Sequence, residues 1–159
     1  MVTLSRLLTL LGLITTGSMA GLFYAYQYSV MIALDQVAAR TAVPVMQKIN
    51  EVILNPVFFA GFIGTLAVLP LAAIACWLAG FTAAALWLVA AVLFYGIGTF
   101  GITMALNVPL NDALAKVPES ADLAAEWARF APDWNRWNLI RTLGAFAALL
   151  CTGLALLAL

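Results

Sequence analysis

Histidine is missing from this sequence of 159 residues, and its absence removes much of common enzyme chemistry. Catalytic triads, histidine-ligated haem and HExxH zinc sites all need the imidazole. Charge is scarce as well. Lysine and arginine number seven, aspartate and glutamate seven, and together they make 9% of the chain, where soluble globular domains carry about 25%. With 65% hydrophobic residues, the sequence lacks the polar surface that a water-soluble domain of this size needs. No basic excess exists to neutralise a phosphate backbone, which excludes nucleic acid as a partner. The two cysteines, Cys76 and Cys151, show no CxxC or ligand-like spacing. They read as small apolar packers, with neither a disulfide nor a metal site expected. The length admits one domain spanning 1–159.

The few charges fall in three short segments, 1–6, 35–51 and 112–141, and the stretches between them hold none. A membrane-spanning helix needs about 20 apolar residues, so 7–34 is one span and 142–159 a minimal one. The middle stretch, 52–111, is too long for one span and must fold in two. Gly80 fits the left-handed residue that ends one helix, with Thr82 as N-cap of the next. Spans are expected at about 7–34, 56–79, 83–106 and 138–158. The fold class is therefore all-α, an antiparallel four-helix transmembrane bundle. Arg6, an apolar run and Ser18-Met19-Ala20 also resemble a signal peptide with its cleavage site. The hydrophobic run continues past that site, so the segment is expected to stay as a span.

An even number of spans puts both termini and the Gly80 turn on one side and the two polar loops on the other. Arg6 lies on the terminal side, whereas Arg40, Lys48, Lys116, Arg129, Arg136 and Arg141 lie on the loop side, which the positive-inside rule makes cytoplasmic. Short interfacial helices are expected in the loops. One starts at Pro44, with Val45, Met46, Ile49, Val52 and Ile53 on one face. Another runs from Ala121 to Phe130 behind a Ser120 cap, and Pro132 then opens the last helix.

Polar side chains at membrane depth are costly unless they face other helices. Tyr24, Gln27, Tyr28 and Met31 follow helical spacing, continued by Gly17 and Gly21 as a GxxxG pair. Close packing accounts for the glycines. Gln27 needs a hydrogen-bonding partner. Pro109 disfavours helical geometry at Val108, so the third span is expected to stop near Asn107, where Asn107 and Asn111 can cap or turn. Asn55-Pro56 reads as an N-cap with proline in the first turn. Pro70 is expected to kink the second span. Trp134, Asn138 and Arg141 recur at i, i+4 and i+7, with Trp137 beside them, and membrane anchoring is a sufficient reading of that pattern alone. Antiparallel packing nevertheless gathers Gln27, Tyr28, Asn55, Asn107, Asn138 and Arg141 at the loop end of the bundle, because all sit at span ends on that side.

The strings GLFYA (21–25), MQKIN (46–50), NPVF (55–58), NVPLN (107–111) and WNRWNLIRT (134–142) resemble those of the anthrone oxygenase-like family of small four-span membrane proteins. The resemblance covers about residues 10–155. It implies the oxidation of a lipophilic anthrone or hydroquinone-like aromatic by O2, without a cofactor, in the cytoplasmic membrane if this chain is like the bacterial members. It brings no catalytic residue set with it. The chemistry requires an apolar aromatic pocket, donors for an enolate oxygen and a base. From the residues, Arg141, Asn107 and Asn138 are the candidate donors. Tyr24, Tyr28, Trp134 and Trp137 are candidate walls, with Gln27, Asn55 and Asn111 as further substrate contacts. The base is a loop carboxylate such as Asp112 or Glu51, or a tyrosinate. The alternative is a non-enzymatic protein whose cluster docks a membrane lipid, a hydrophobic small molecule or a partner protein. Transport ranks below both, because no charged residues line a through-path. The oligomeric state is left open.

Overall fold

A computed structural model describes all residues 1–159 as helices joined by short turns, without a strand. Four helices are long and apolar enough to cross a membrane: α1 (Val2–Asp35), α3 (Pro56–Leu78), α4 (Thr82–Ala115) and α5 (Leu123–Leu157). One short helix, α2 (Ala39–Val52), lies between α1 and α3. The long helices pack in the cyclic order α1, α3, α4, α5, each against two neighbours. Leucine, isoleucine and valine side chains such as Leu7, Ile14, Val57, Ile63, Leu86, Ile97 and Leu150 stay exposed around the outside, as expected of a surface that lipid covers.

The ends of the helices explain the antiparallel order. Gly80, at φ 85°, takes the left-handed turn between α3 and α4. Phe81, not Thr82, is the N-cap of α4, and no side chain caps it. Asn55 caps α3 as its sequence suggests, accepting hydrogen bonds on Oδ1 from the backbone N-H groups of Val57 and Phe58. Arg6 donates to the carbonyl of Leu159 at 3.1 Å, and Ser5 donates to the carbonyl of Ala75 at 3.0 Å. Residues at the two chain ends therefore lie together with the Gly80 turn, and both polar loops lie at the opposite end.

Three prolines sit within helices that the sequence reading broke there. The second interfacial helix is not separate: α5 is continuous from Asp122, its N-cap in place of Ser120, through Pro132. The loop helix α2 likewise starts five residues before Pro44. Pro132 leaves the Ala128 carbonyl without its helical donor, but Trp127, Phe130, Ala131 and Trp134 bury their side chains with Met31, Leu34, Ala42, Val43, Met46 and Leu114. That loop-end core offsets the lost bond. On α2 the buried face is Ala42, Val43 and Met46, while Val45 and Val52 point outward.

At Pro109 the explanation is a change of helical register. Phe94–Gly101 and Thr103–Asn107 form wide π turns, and the N-H of Val108 donates to Thr103, five residues back. The proline follows directly on this widened turn, so α4 runs on to Ala115 instead of stopping near Asn107. A third π turn, Tyr26–Val30, interrupts α1 at the same end of the bundle. α3 runs unbroken through Pro70.

Close backbone approach occurs between α4 and α5, not at the GxxxG pair of α1. A Cβ placed on Gly144 would lie 2.7 Å from the carbonyl carbon of Gly98, whereas one on Gly21 would meet nothing within 4 Å. Gly17 would touch only the Leu149 side chain at 3.6 Å.

Candidate active site

The three π turns surround one buried arginine. Arg141 is on α5 three residues before the Gly144 contact and is only 6% exposed. About 24 Å of helix separates it from Leu157, against a hydrocarbon core of about 30 Å. Its Cζ lies 4.3 Å from the ring centroid of Phe23 on α1 and 5.0 Å from that of Trp134 on α5, so two aromatic faces hold the cation. Its Nε donates to Asn138 Oδ1 at 2.9 Å, and its Nη1 approaches Thr103 Oγ1 of α4 at 3.5 Å. Neither of the protein's two ion pairs involves it: these are Lys48 with Glu51 and Arg129 with Glu126, both at the surface.

Asn138 is the hub of this arrangement. Its Nδ2 donates to Gln27 Oε1 at 2.8 Å and to the Phe23 carbonyl at 3.2 Å. The Phe23 carbonyl also accepts from the backbone N-H of Tyr26, where the π turn of α1 begins. Gln27 thus finds the partner its position demands. A second chain of bonds fixes Trp134. Its Nε1 donates to Asn111 Oδ1 at 2.8 Å, and its backbone carbonyl accepts from Asn107 Nδ2 at 3.2 Å. Asn107 is fully buried and its Oδ1 has no partner.

Arg141 opens onto a cavity of about 410 Å³ at the loop end of the bundle. Its deep part is formed by Phe23, Phe62, Thr103 and Trp134, all buried. Tyr26, Phe58, Gln47, Asn50 and Asn111 line its middle, and Glu51, Leu54, Phe59, Met104 and Asp112 stand at its exposed end. Glu51 is paired with Lys48 at 2.8 Å, but Asp112 has no ion-pair partner. No three acidic or cysteine side chains converge anywhere in the protein.

Several of the residues named from sequence thus share one site: Arg141, Asn138, Gln27, Asn111, Trp134 and Asp112. Others stand apart from the cavity. Tyr24 and Tyr28 are half exposed on the outer face, their rings 4.7 Å apart, with Phe146 against Tyr24. Trp137 carries the Arg136 guanidinium over its ring at 5.1 Å, away from the cavity. Asn55 is engaged in capping α3. Asn107 reaches the site only through Trp134.

The cavity walls that sequence reasoning missed are Phe23, Tyr26, Phe58, Phe62 and Thr103. A signal for the first two existed. Met19, Phe23, Met31 and Leu34 are buried at helical spacing, and that stripe passes through Tyr26 and Gln27 between the two outward tyrosines.

The hydroxyl groups away from the cavity do little more than satisfy themselves. Thr9, Thr16, Thr65, Thr142 and Thr152 each donate to the carbonyl four residues earlier in their own helix.

A family model described as "Anthrone oxygenase" matches residues 57–151, more than half of the chain. The matched segment includes Thr103, Asn107, Asn111, Asp112, Trp134, Asn138 and Arg141, and leaves out α1 and α2. No curated protein and no solved structure matches the chain.

Proposed function

The chain belongs to the anthrone oxygenase family, and from that premise we propose that it is a membrane-embedded oxygenase converting a lipophilic anthrone or hydroquinone-like aromatic with O2. The observation that carries this reading is Arg141, a buried guanidinium with no acidic partner that faces an aromatic cavity. Burying a lone cation costs several kcal/mol, of which two ring faces recover a part. An enolate or phenolate oxygen bound against it supplies the missing negative charge.

Anthrone chemistry fits the groups present. Asp112, the unpaired carboxylate of the cavity, takes a proton from the acidic ring methylene. The negative charge that develops on the ketone oxygen rests on Arg141, held in place by Asn138. The carbanion carbon passes its electrons to O2 and bonds to it, and protonation gives a hydroperoxide. Loss of water from that hydroperoxide leaves the second carbonyl. One oxygen atom stays in the quinone and the other leaves as water, so the methylene is oxidised by four electrons and O2 is fully reduced. The walls of Phe23, Phe62, Tyr26 and Trp134 accommodate a flat ring system and exclude water from the carbanion. We place the loop end at the cytoplasmic face, where the cationic residues collect.

The test uses purified protein in lipid nanodiscs with an oxygen electrode and an anthrone. Substrate-dependent O2 uptake with formation of the quinone is expected, and Arg141→Ala is expected to lower turnover on the order of 100-fold or more with the helical circular-dichroism spectrum retained. Undiminished turnover in that variant, or no O2 uptake by the parent protein, overturns the reading.

A further inference from the structure

The rim of the cavity is of two kinds. Toward the loops it carries the carboxylates Glu51 and Asp112. Between α3 and α4 it carries Phe59 and Met104, which are 40% and 48% exposed although both line the cavity. A carboxylate at an opening faces water, whereas a large apolar side chain at an opening faces water only at a cost.

The depth of Phe59 and Met104 removes that cost. Phe59 stands 19 residues from Leu78 on α3, about 28 Å of helix against a hydrocarbon core of about 30 Å. Met104 is the last large apolar side chain exposed on α4, and no charged residue precedes Asp112 on that helix. Both side chains therefore lie just inside the loop-side boundary of the hydrocarbon, with Ile63 and Ile97 exposed to lipid deeper down. Below the rim the two helices are tied together: the Tyr95 hydroxyl donates to the Phe62 carbonyl at 3.0 Å, and the rings of Phe62 and Phe100 lie 5.2 Å apart. Nearer the loops, Met104 belongs to the π turn Thr103–Asn107, and there the cavity lies between the helices, walled by Phe58, Phe59 and Phe62 on one and by Thr103, Met104 and Val108 on the other.

We propose that the gap between Phe59 and Met104 is a side portal through which the cavity exchanges an uncharged, lipophilic molecule directly with the acyl-chain region of the bilayer. The partner surface is the lipid itself. A molecule dissolved among acyl chains then passes from one apolar environment to another and never exposes its rings to water, while the charged rim at Glu51 and Asp112 is left to water and protons. This inference goes beyond the oxygenase reading: it concerns the route into the cavity and holds whatever the ligand undergoes there.

The test places a thiol at the back of the cavity and asks how a reagent reaches it. Thr103 is 5% exposed, lines the cavity and has its hydroxyl 3.5 Å from Arg141 Nη1, so a thiol in Thr103→Cys has a cation beside it to favour the reactive thiolate. The native Cys76 and Cys151 are buried outside the cavity, and the parent protein measured alongside gives their background. The probes are N-phenylmaleimide and its 4-carboxyphenyl analogue, which share a reactive ring but of which only the first is uncharged. Labelling of the full-length protein in lipid nanodiscs is followed by mass spectrometry. N-phenylmaleimide is expected to label Thr103→Cys at least about tenfold faster than the carboxylate, which hydrocarbon excludes. Adding Met104→Trp, which fills the gap, is expected to slow N-phenylmaleimide by at least about tenfold, and adding Met104→Ala, which widens it, to speed the reaction. Ala115→Trp puts the same bulk on the charged side of the rim, one turn from Asp112, and is expected to leave the rate within about twofold. Circular dichroism checks that each variant keeps its helices. Equal rates for the two maleimides, a rate that neither Met104 variant changes, slowing by Ala115→Trp, or no labelling by either reagent overturns the proposal. No anthrone and no O2 uptake enters this test, so its failure and the failure of the oxygenase reading are told apart.

Discussion

Arg141 and Asn138 form a single unit: the arginine Nε donates to the asparagine Oδ1 at 2.9 Å, and the asparagine commits its Nδ2 to Gln27 and Phe23 of α1. The orientation of the cation therefore depends on a residue three positions earlier that does not line the cavity. Asn138→Ala removes the brace and leaves three polar atoms without their partner. It is expected to destabilise the fold by about 1–3 kcal/mol and to reduce kcat more than it raises KM. Thermal unfolding together with steady-state kinetics separates the two effects; unchanged kcat would show that Arg141 orients itself.

Replacing Arg141 by lysine keeps the positive charge but removes the Nε bond to Asn138 and the flat group held between Phe23 and Trp134. Arg141→Lys is expected to lose at least about tenfold in turnover, less than the alanine variant. If lysine serves as well as arginine, charge alone is what the site needs.

Asp112 provides a test of the assigned base. Asp112→Asn retains the size of the side chain at the cavity's exposed end but cannot accept the proton. A fall in kcat on the order of 100-fold or more, with ligand affinity by fluorescence unchanged, is the expected result. Full activity in this variant transfers the role to another group, with Glu51 and Tyr26 the other titratable side chains of the cavity wall besides Arg141.

The α4-α5 contact beside the site makes a prediction about stability. A Cβ on Gly144 meets the backbone of Gly98 at 2.7 Å, where no side chain is available to move aside. Gly144→Ala is expected to cost about 1–3 kcal/mol or more, while Gly21→Ala, whose added methyl meets nothing, is expected to stay within about 0.5 kcal/mol of the parent. Unfolding temperatures in one detergent compare them; equal values would mean that the two helices can separate freely.

Much of this architecture was legible because the membrane enforces it. Charge-free stretches mark the spans, and Gly80 and Asn55 carry the turn and the cap that their residue types predict. Arg141, Asn138 and Gln27 were also legible as a group, since a polar side chain in a span must find another. What the sequence could not convey was helical register. A π turn rotates everything beyond it relative to a regular α-helix. The widened turns before Pro109 consequently let α4 continue past it. Pro132 misled for a different reason: local propensity breaks a helix there, but the aromatic packing of Trp127, Phe130 and Trp134 holds it together.

The terminal half of the bundle has a consequence for traffic. Buried Leu69, Ala72, Cys76, Leu88, Ala148 and Ala155 fill it, and its hydroxyls bond to backbone carbonyls. The cavity thus ends blind toward the terminal face: beyond Arg141 a ligand meets packed side chains, and no polar path leads on from there to the Gly80 end of the bundle.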